Sequence, residues 1–451
     1  MTIYKSGHII RSYRLSRGSS NEAEKVVIMT HRARELSAEL QFAIRSLAVL
    51  LLLISSTANG QSTEWRQWGG PQRNFKSDAK GFRESWPPTG PRRLWSRDLG
   101  DGYSAIVVDA DKLFTMYRKG DQDVVIALEA ATGKTLWEYS YDAPFAKEYE
   151  LAQGPGPRAT PLVAGNQVFA VGATGKLHCL NKQTGRMLWG HDLLTEFKGT
   201  VRVRGYSCSP IAYKNTVIMM VGGAGHAIMA FNQKDGSVAW QKHDFKNSPS
   251  SPLLINIDGQ DQLVAFMFDE VVGVDPNNGD LLWSHPHQTD SGLNISMPVW
   301  GEGNLLFCSS AYDGGSRVIK LTRAGGKTMA QEVWFNRLFR VHYGNVIRIG
   351  DYVYGSSGDF GPAPFTAVNV NTGQIMWRNR SLSRATLVSA DGRFIILDED
   401  GNLAIATPSP EGLKVHSKVE LLTNNAWTVP TLVGTKLYVR DRKIIMALDL
   451  S

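Results

Sequence analysis

Cysteine is scarce in this chain of 451 residues: three residues, Cys179, Cys208 and Cys308, with no adjacent pair, no CxxC and no CxxCH. That excludes a disulfide-dense scaffold, a zinc site built on paired thiolates and a covalently attached haem. Each cysteine sits in an apolar, strand-like run, so buried small side chains are expected, with at most one pair free to form a disulfide. Net charge is also small. The formal +7 arises mostly from residues 1–60, which hold eight Lys/Arg against four Asp/Glu; the remainder holds 41 against 38. No basic run follows residue 60, and nucleic acid is not an expected partner. Long apolar runs are missing as well. The longest, residues 46–57, is twelve residues, follows Arg32, Arg34 and Arg45, and precedes Ala58-Asn59-Gly60. A run too short to span a bilayer comfortably, with basic flank and small residues, reads as a secretory signal. Residues 1–60 are therefore expected to be an extension plus signal peptide, with Met29 a natural start. The product is expected to be exported, to periplasm or extracellular space, without a transmembrane anchor after cleavage or a lipidated cysteine at the signal.

What the chain has is a repeat. Ile126-Ala-Leu-Glu-Ala-Ala-Thr-Gly133-Lys-Thr-Leu-Trp137 returns as His178-Cys-Leu-Asn-Lys-Gln-Thr-Gly185-Arg-Met-Leu-Trp189 and Met229-Ala-Phe-Asn-Gln-Lys-Asp-Gly236-Ser-Val-Ala-Trp240. It recurs at Val272-Gly-Val-Asp-Pro-Asn-Asn-Gly279-Asp-Leu-Leu-Trp283 and Ala367-Val-Asn-Val-Asn-Thr-Gly373-Gln-Ile-Met-Trp377, with a longer turn before Trp334. Successive tryptophans lie 43 to 52 residues apart, a period that means stacked supersecondary units. Between them, short apolar runs of period two are broken by Gly, Asn and Asp, giving four antiparallel strands per unit, the grammar of a propeller blade. A seventh unit lacks the tryptophan. The C-terminus supplies three strands without a fourth, and Pro91-Arg-Arg-Leu94-Trp95 is a fourth strand without its first three. The expectation is an all-β, eight-bladed β-propeller over 93–451, closed by pairing the N-terminal strand with the C-terminal blade. Residues 61–92, rich in proline and tryptophan, read as an ordered lead-in. Trp95, Trp137, Trp189, Trp240, Trp283, Trp334 and Trp377 are expected to dock each blade on its neighbour, where a large apolar area and one N–H count most.

The apolar-Ala-Leu-Asn/Asp-x-x-Thr-Gly-Lys-x-Leu-Trp phrase resembles the pyrroloquinoline-quinone (PQQ) type propeller repeat. The lead-in Trp65-Arg-Gln-Trp68-Gly69-Gly70-Pro71 resembles an exported polyvinyl-alcohol-dehydrogenase-like subfamily. The resemblance implies two functional classes: quinoprotein alcohol dehydrogenases, and non-catalytic scaffolds similar to the outer-membrane β-barrel assembly propeller. It also implies what a dehydrogenase needs: a vicinal Cys-Cys disulfide over the quinone and calcium held by Glu, Asn and Asp. This sequence has no adjacent cysteines, no matching Asp-Tyr-Asp signature and no long insertions between blades.

The residue just before each inner strand stands at the rim of the central channel. Those positions are Tyr103, Arg158, Tyr206, Ser250, Asn294, Tyr343, Arg384 and Trp427, with Arg204 and His342 beside them. Guanidinium forks suit carboxylates and aromatic faces stack on planar rings, so this set suits an anionic, planar ligand. PQQ with calcium is one such occupant; a protein partner or small anionic ligand at the channel mouth is the other. His342 is the side chain best suited to catalysis, without a partner carboxylate in view. Asp398-Glu-Asp-Gly reads as a hairpin rather than a calcium loop, and Gly222-Gly-Ala-Gly225 is no dinucleotide loop because no helix follows. The sequence favours an exported, non-catalytic binding or scaffold propeller over a PQQ-dependent alcohol or sugar dehydrogenase.

Overall fold

The computed structural model describes residues 64–359 and 361–451, so the expected extension, the signal run and Met29 lie outside the described residues. Eight antiparallel blades of four strands each form the propeller. Burial grades outward. In the first blade the strand Lys112–Lys119 buries its six central residues, because neighbouring blades cover both faces. The outer strand Thr135–Asp142 buries only Trp137 and Tyr141.

Closure is as expected from the stray fourth strand. Arg92–Asp98 pairs antiparallel with Ile444–Asp449, setting Trp95 opposite Ala447. Arg92 Nη2 bonds Asp449 Oδ2 at 2.5 Å across the seam. The last blade thus takes three strands from one end of the chain and one from the other, leaving no open end in the ring.

Each outer strand carries a one-residue register shift at the tryptophan position, just after Met187, Arg93 and their equivalents. Such a bulge re-aims the side chain that follows it. The indole N–H then reaches a carbonyl of the next blade: Trp95 to Ala130 (2.9 Å), Trp137 to Lys182 (3.0 Å), Trp189 to Gln233 (2.9 Å). Trp240 bonds Pro276 at 3.2 Å, Trp334 bonds Val370 at 2.7 Å and Trp377 bonds Ser409 at 3.0 Å. Except at Trp377, the indole lies on the glycine of the neighbouring hairpin. At Gly133 an added Cβ would fall 2.6 Å from the Trp95 ring, and φ is +71°. Both the contact and the turn call for glycine there.

Trp283 departs from the docking role expected of it. The fifth blade has two ten-residue outer strands, Gly315–Ala324 and Lys327–Asn336, so its hairpin lies too far out to receive the ring. The indole N–H turns to Gln262 Oε1 of its own blade at 2.8 Å, over Gly273, and Gln262 Nε2 bonds Thr328 Oγ1 of the fifth blade at 2.7 Å. The seventh blade keeps the bulge but places Ser417 where tryptophan would stand, opposite Ile405. There the lead-in packs instead, with the Trp86 backbone N–H, not its indole, donating to Ser417 Oγ at 3.0 Å.

Around the channel, inner strands are laced by hydroxyls. The N–H of Ala105 donates to Thr160 Oγ1, that of Thr160 to Ser209 Oγ and that of Ser209 to Ser251 Oγ. Across the ring Asn345 exchanges two bonds with Leu387, and Thr428 and Thr431 donate to the carbonyls of Tyr103 and Ile106. The start of the lead-in crosses the foot of the channel. Glu64 and Trp65 pair with Asp109 and Val108 as a fifth strand on the first blade, a pairing the proline-rich sequence does not announce. The Arg66 carbonyl then accepts from Val163, Arg73 bonds the Pro210 carbonyl, Phe75 and Ser77 bracket Ser389, and Ser77 Oγ bonds the Leu432 carbonyl. Five blades are tied by one short segment.

Candidate functional site

Because the lead-in crosses the foot, the channel is a cup. Trp68, edge-on to buried Phe75 with centroids 5.2 Å apart, faces a cavity of about 490 Å³ that opens at the end where the inner strands begin. Its wall gathers Tyr103, Arg158, Arg204, His342, Tyr343, Arg384 and Trp427, seven of the rim residues expected from sequence. Tyr206 and Asn294 are corrections. Tyr206 is buried with its hydroxyl on the Met220 carbonyl at 2.7 Å, and Asn294 is buried with its amide on the Met267 carbonyl at 2.7 Å. Ser250, likewise buried, bonds the Ser296 carbonyl. In these blades strand alternation turns the chosen residue into the blade interface, so a neighbour faces the channel: Gly205 and Ser207, Ser251, or Leu293 and Ile295. Arg202, Gln153, Glu399 and Trp68 also line the cup. They stand in loops, hairpin or lead-in, where the repeat gives no register. The charged pattern Arg202-x-Arg204 was the available signal.

The rim side chains form a near-continuous ring. Tyr103 donates to the Gln153 carbonyl (2.7 Å), and Arg158 to the carbonyls of Arg204 (2.5 Å) and Gly154 (3.1 Å). Arg204 reaches across the mouth to Tyr312 Oη at 3.1 Å, and that hydroxyl meets His342 Nε2 at 2.6 Å. Arg384 Nη1 lies 3.3 Å from His342 Nδ1, and its Nε pairs with Glu399 Oε1 at 3.2 Å. Glu399 also accepts from Tyr343 (3.0 Å) and Trp427 (3.4 Å). Trp427 stacks back on Tyr103, centroids 5.1 Å apart, and the ring is closed. Arg384 holds φ of +47°, a conformation non-glycine residues seldom adopt, and its Nη2 donates to the Gly361 carbonyl at 2.6 Å. Such strain persists where surrounding contacts over-determine it.

Electrostatically the cup is one-sided. Four guanidiniums, Arg158, Arg202, Arg204 and Arg384, face one carboxylate, Glu399. Arg158 has no carboxylate partner among the described residues, and burial pulls its pKa down to about 10, so it stays charged. The Arg202 Nε is buried without a hydrogen-bond partner, its guanidinium 4.7 Å from the Phe268 ring centre. Burial, then Arg384 and Arg204, lowers the His342 pKa to about 4. A neutral imidazole accepting at Nδ1 from Arg384 carries its proton on Nε2, toward Tyr312. Burial and the adjacent Glu399 push Tyr343 well up. His342 is held by groups that oppose its protonation, which makes it a poor base.

Guanidiniums and stacked rings fit a planar anion, but the residues do not fit a calcium-bound quinone. The single lining carboxylate is committed to Arg384, Tyr343 and Trp427. Asp398 is buried and turned to Asn402, whose N–H and side chain it accepts. Among the described residues no three His, Cys, Asp or Glu side chains gather as metal ligands. The three cysteines are free, buried and separate.

A family model for the outer membrane protein assembly factor BamB matches residues 86–173 and 151–379. The chain belongs to that family. BamB of Moranella endobia is 22% identical over 366 residues, covering 78% of each chain. BamB of Shewanella oneidensis is 23% identical, covering 63% of this chain and 72% of its own. The 1-butanol dehydrogenase (cytochrome c) of Thauera butanivorans is 27% identical, but over 49% of this chain and 32% of that protein. Among solved structures, the quinohemoprotein alcohol dehydrogenase of Comamonas testosteroni superposes with a TM-score of 0.61 at 12% identity, covering 88% of this chain and 82% of its own. The likeness at that identity is one of fold. Among the described residues no helix is long and apolar enough to cross a membrane.

Proposed function

We propose that this propeller is an exported, non-catalytic binding protein whose cup and mouth face capture an anionic group, carried by a protein partner or by a small ligand. The observation that carries this reading is the imbalance in the cup: four guanidiniums around one committed carboxylate. Uncompensated charges that are partly desolvated favour an incoming anion, since charge-assisted, bidentate bonds to guanidinium are the strong ones. Kinship with outer membrane assembly factors, matched over most of the chain, supports the binding class and an exported location.

The rival reading is a PQQ-dependent dehydrogenase of alcohols or sugars, favoured by the partial likeness to a butanol dehydrogenase. Titration of the full chain with PQQ, with and without calcium, followed by a dye-linked alcohol and sugar oxidation assay separates the two. The binding reading expects no turnover and no calcium requirement for any quinone bound. Stoichiometric, calcium-dependent uptake with turnover would replace it.

A further inference from the structure

We infer that the cup is built for an organic acid with an apolar, ring-sized body and a single carboxylate, and that Arg158 and Arg202 receive that carboxylate. The inference rests on the reading of the cup as an anion site and adds the class of ligand. Two distributions carry it. The first is where free positive charge stands. Arg384 is neutralised by Glu399, and Arg204 is drawn toward Glu150 at 3.4 Å and bonded to Tyr312. Arg158 spends its hydrogen bonds on carbonyls and makes no ion pair among the described residues, its nearest acidic influence being Asp123, already paired to Arg118; Arg202 has an unpartnered buried Nε and no carboxylate among the described residues. The uncompensated charge therefore lies on one side, at the second and third blades, and suits one carboxylate.

The second distribution is apolar. Pro249, Leu293 and Ile295 of the fourth and fifth blades form one wall; Tyr103 and the stacked Trp427 form another; Trp68 is the floor. A ligand with further charges would have to desolvate them against these surfaces, which disfavours each unpaired ion. An apolar ring gains there instead. A cavity of about 490 Å³ lies within the range of small-molecule sites.

The test is calorimetric titration of the full chain with 1-naphthoate, its neutral amide 1-naphthamide, acetate, sulfate and PQQ. Naphthoate should bind, with the amide and acetate each at least about tenfold weaker, since one lacks the charge and the other the ring. Arg202→Gln should weaken naphthoate about ten- to hundredfold at an unchanged melting temperature, because Arg202 makes no side-chain hydrogen bond at Nε. Arg158→Gln should do the same, and Arg202→Gln carries the test if that variant fails to fold. If sulfate, acetate or PQQ binds as tightly as naphthoate, or if Arg202→Gln leaves naphthoate untouched, this inference falls while the anion cup stands. If none of these anions binds the folded chain, the cup is not an anion site and both readings fall.

Discussion

Trp427 stacks on Tyr103 with ring centroids 5.1 Å apart and planes 24° from parallel. The pair joins the last blade to the first at the mouth, while Arg92–Asp98 completes the last blade's own sheet. Tyr103 follows the closing strand directly in the chain, so ring closure and one wall of the cup share a segment. A change that loosens the seam should disturb the mouth.

The seam can be tested at Trp95. Replacing it with alanine removes the bond to Ala130 and the packing on Gly133 and should cost about 3–5 kcal/mol. Gly133→Ala should cost more than Gly120→Ala, although φ is positive at both (+71° and +60°), because only at Gly133 does a Cβ meet a ring. Urea unfolding of the three variants checks the order; equal losses at the two glycines would mean the indole does not press on the hairpin.

Trp283 offers a contrast. Gln262→Ala should destabilise by about 1–3 kcal/mol, since it leaves the buried Trp283 N–H and Thr328 hydroxyl without their partner. The other docking indoles donate to backbone carbonyls instead. A loss below about 0.5 kcal/mol, the size of an ordinary surface change, would show that the blades hold without this bridge.

Acid should weaken the fold through buried histidines. Burial, then Lys176, lowers His178 from 6.5 to about 4. A base whose folded pKa lies below its unfolded value contributes its stability above pH 6.5. As pH falls from 6.5 through 4, the unfolded chain takes up a proton that the fold refuses, and about 3 kcal/mol is lost. His342 acts in the same window. His178→Phe, which keeps a ring against Tyr141, should flatten part of the slope in urea midpoints between pH 7.5 and 4.5. An unchanged slope would assign the acid sensitivity elsewhere.

The thiols should be silent. Burial pushes Cys179, Cys208 and Cys308 each up to about 12, and the thiolate is the reactive form. A disulfide-exchange reagent should label none of them in the folded chain at pH 8 and all three in denaturant; one fast thiol would contradict the packing.

At the mouth, Arg384→Ala should reduce anion capture and also lower stability by about 1–3 kcal/mol, because Glu399 loses its cation and Gly361 its donor. Arg202→Ala should reduce capture with little change in melting. Matching melting losses for the two would make both arginines structural.

How legible the site was depended on distance from the repeat. The tryptophan phrase and its glycine carry the blade register, so inner-strand starts could be counted, and seven rim residues followed. The register slips where a blade begins with a different lead-in loop, and so Tyr206 and Asn294 point into the blade interface rather than the channel. Glu399 reads as a hairpin residue; only its meeting with Arg384 and Trp427 makes it the counter-charge of the cup. Arg202 lies outside any strand, and nothing in its neighbours announces Phe268 beneath it.

The sequence by itself determined the architecture: four strands per period, eight blades, and a stray strand at Trp95 that had to close the ring. Local turn chemistry and period-two burial repeat in every unit, and a repeat fold is the sum of such local rules with nearest-neighbour contacts. Only the tertiary structure decided that Trp283 turns inward, that the lead-in seals the foot of the channel, and that four arginines line one cup with a single carboxylate among them. Those facts rest on loops, the lead-in and departures from the repeat, where no period in the chain relates one contact to the next.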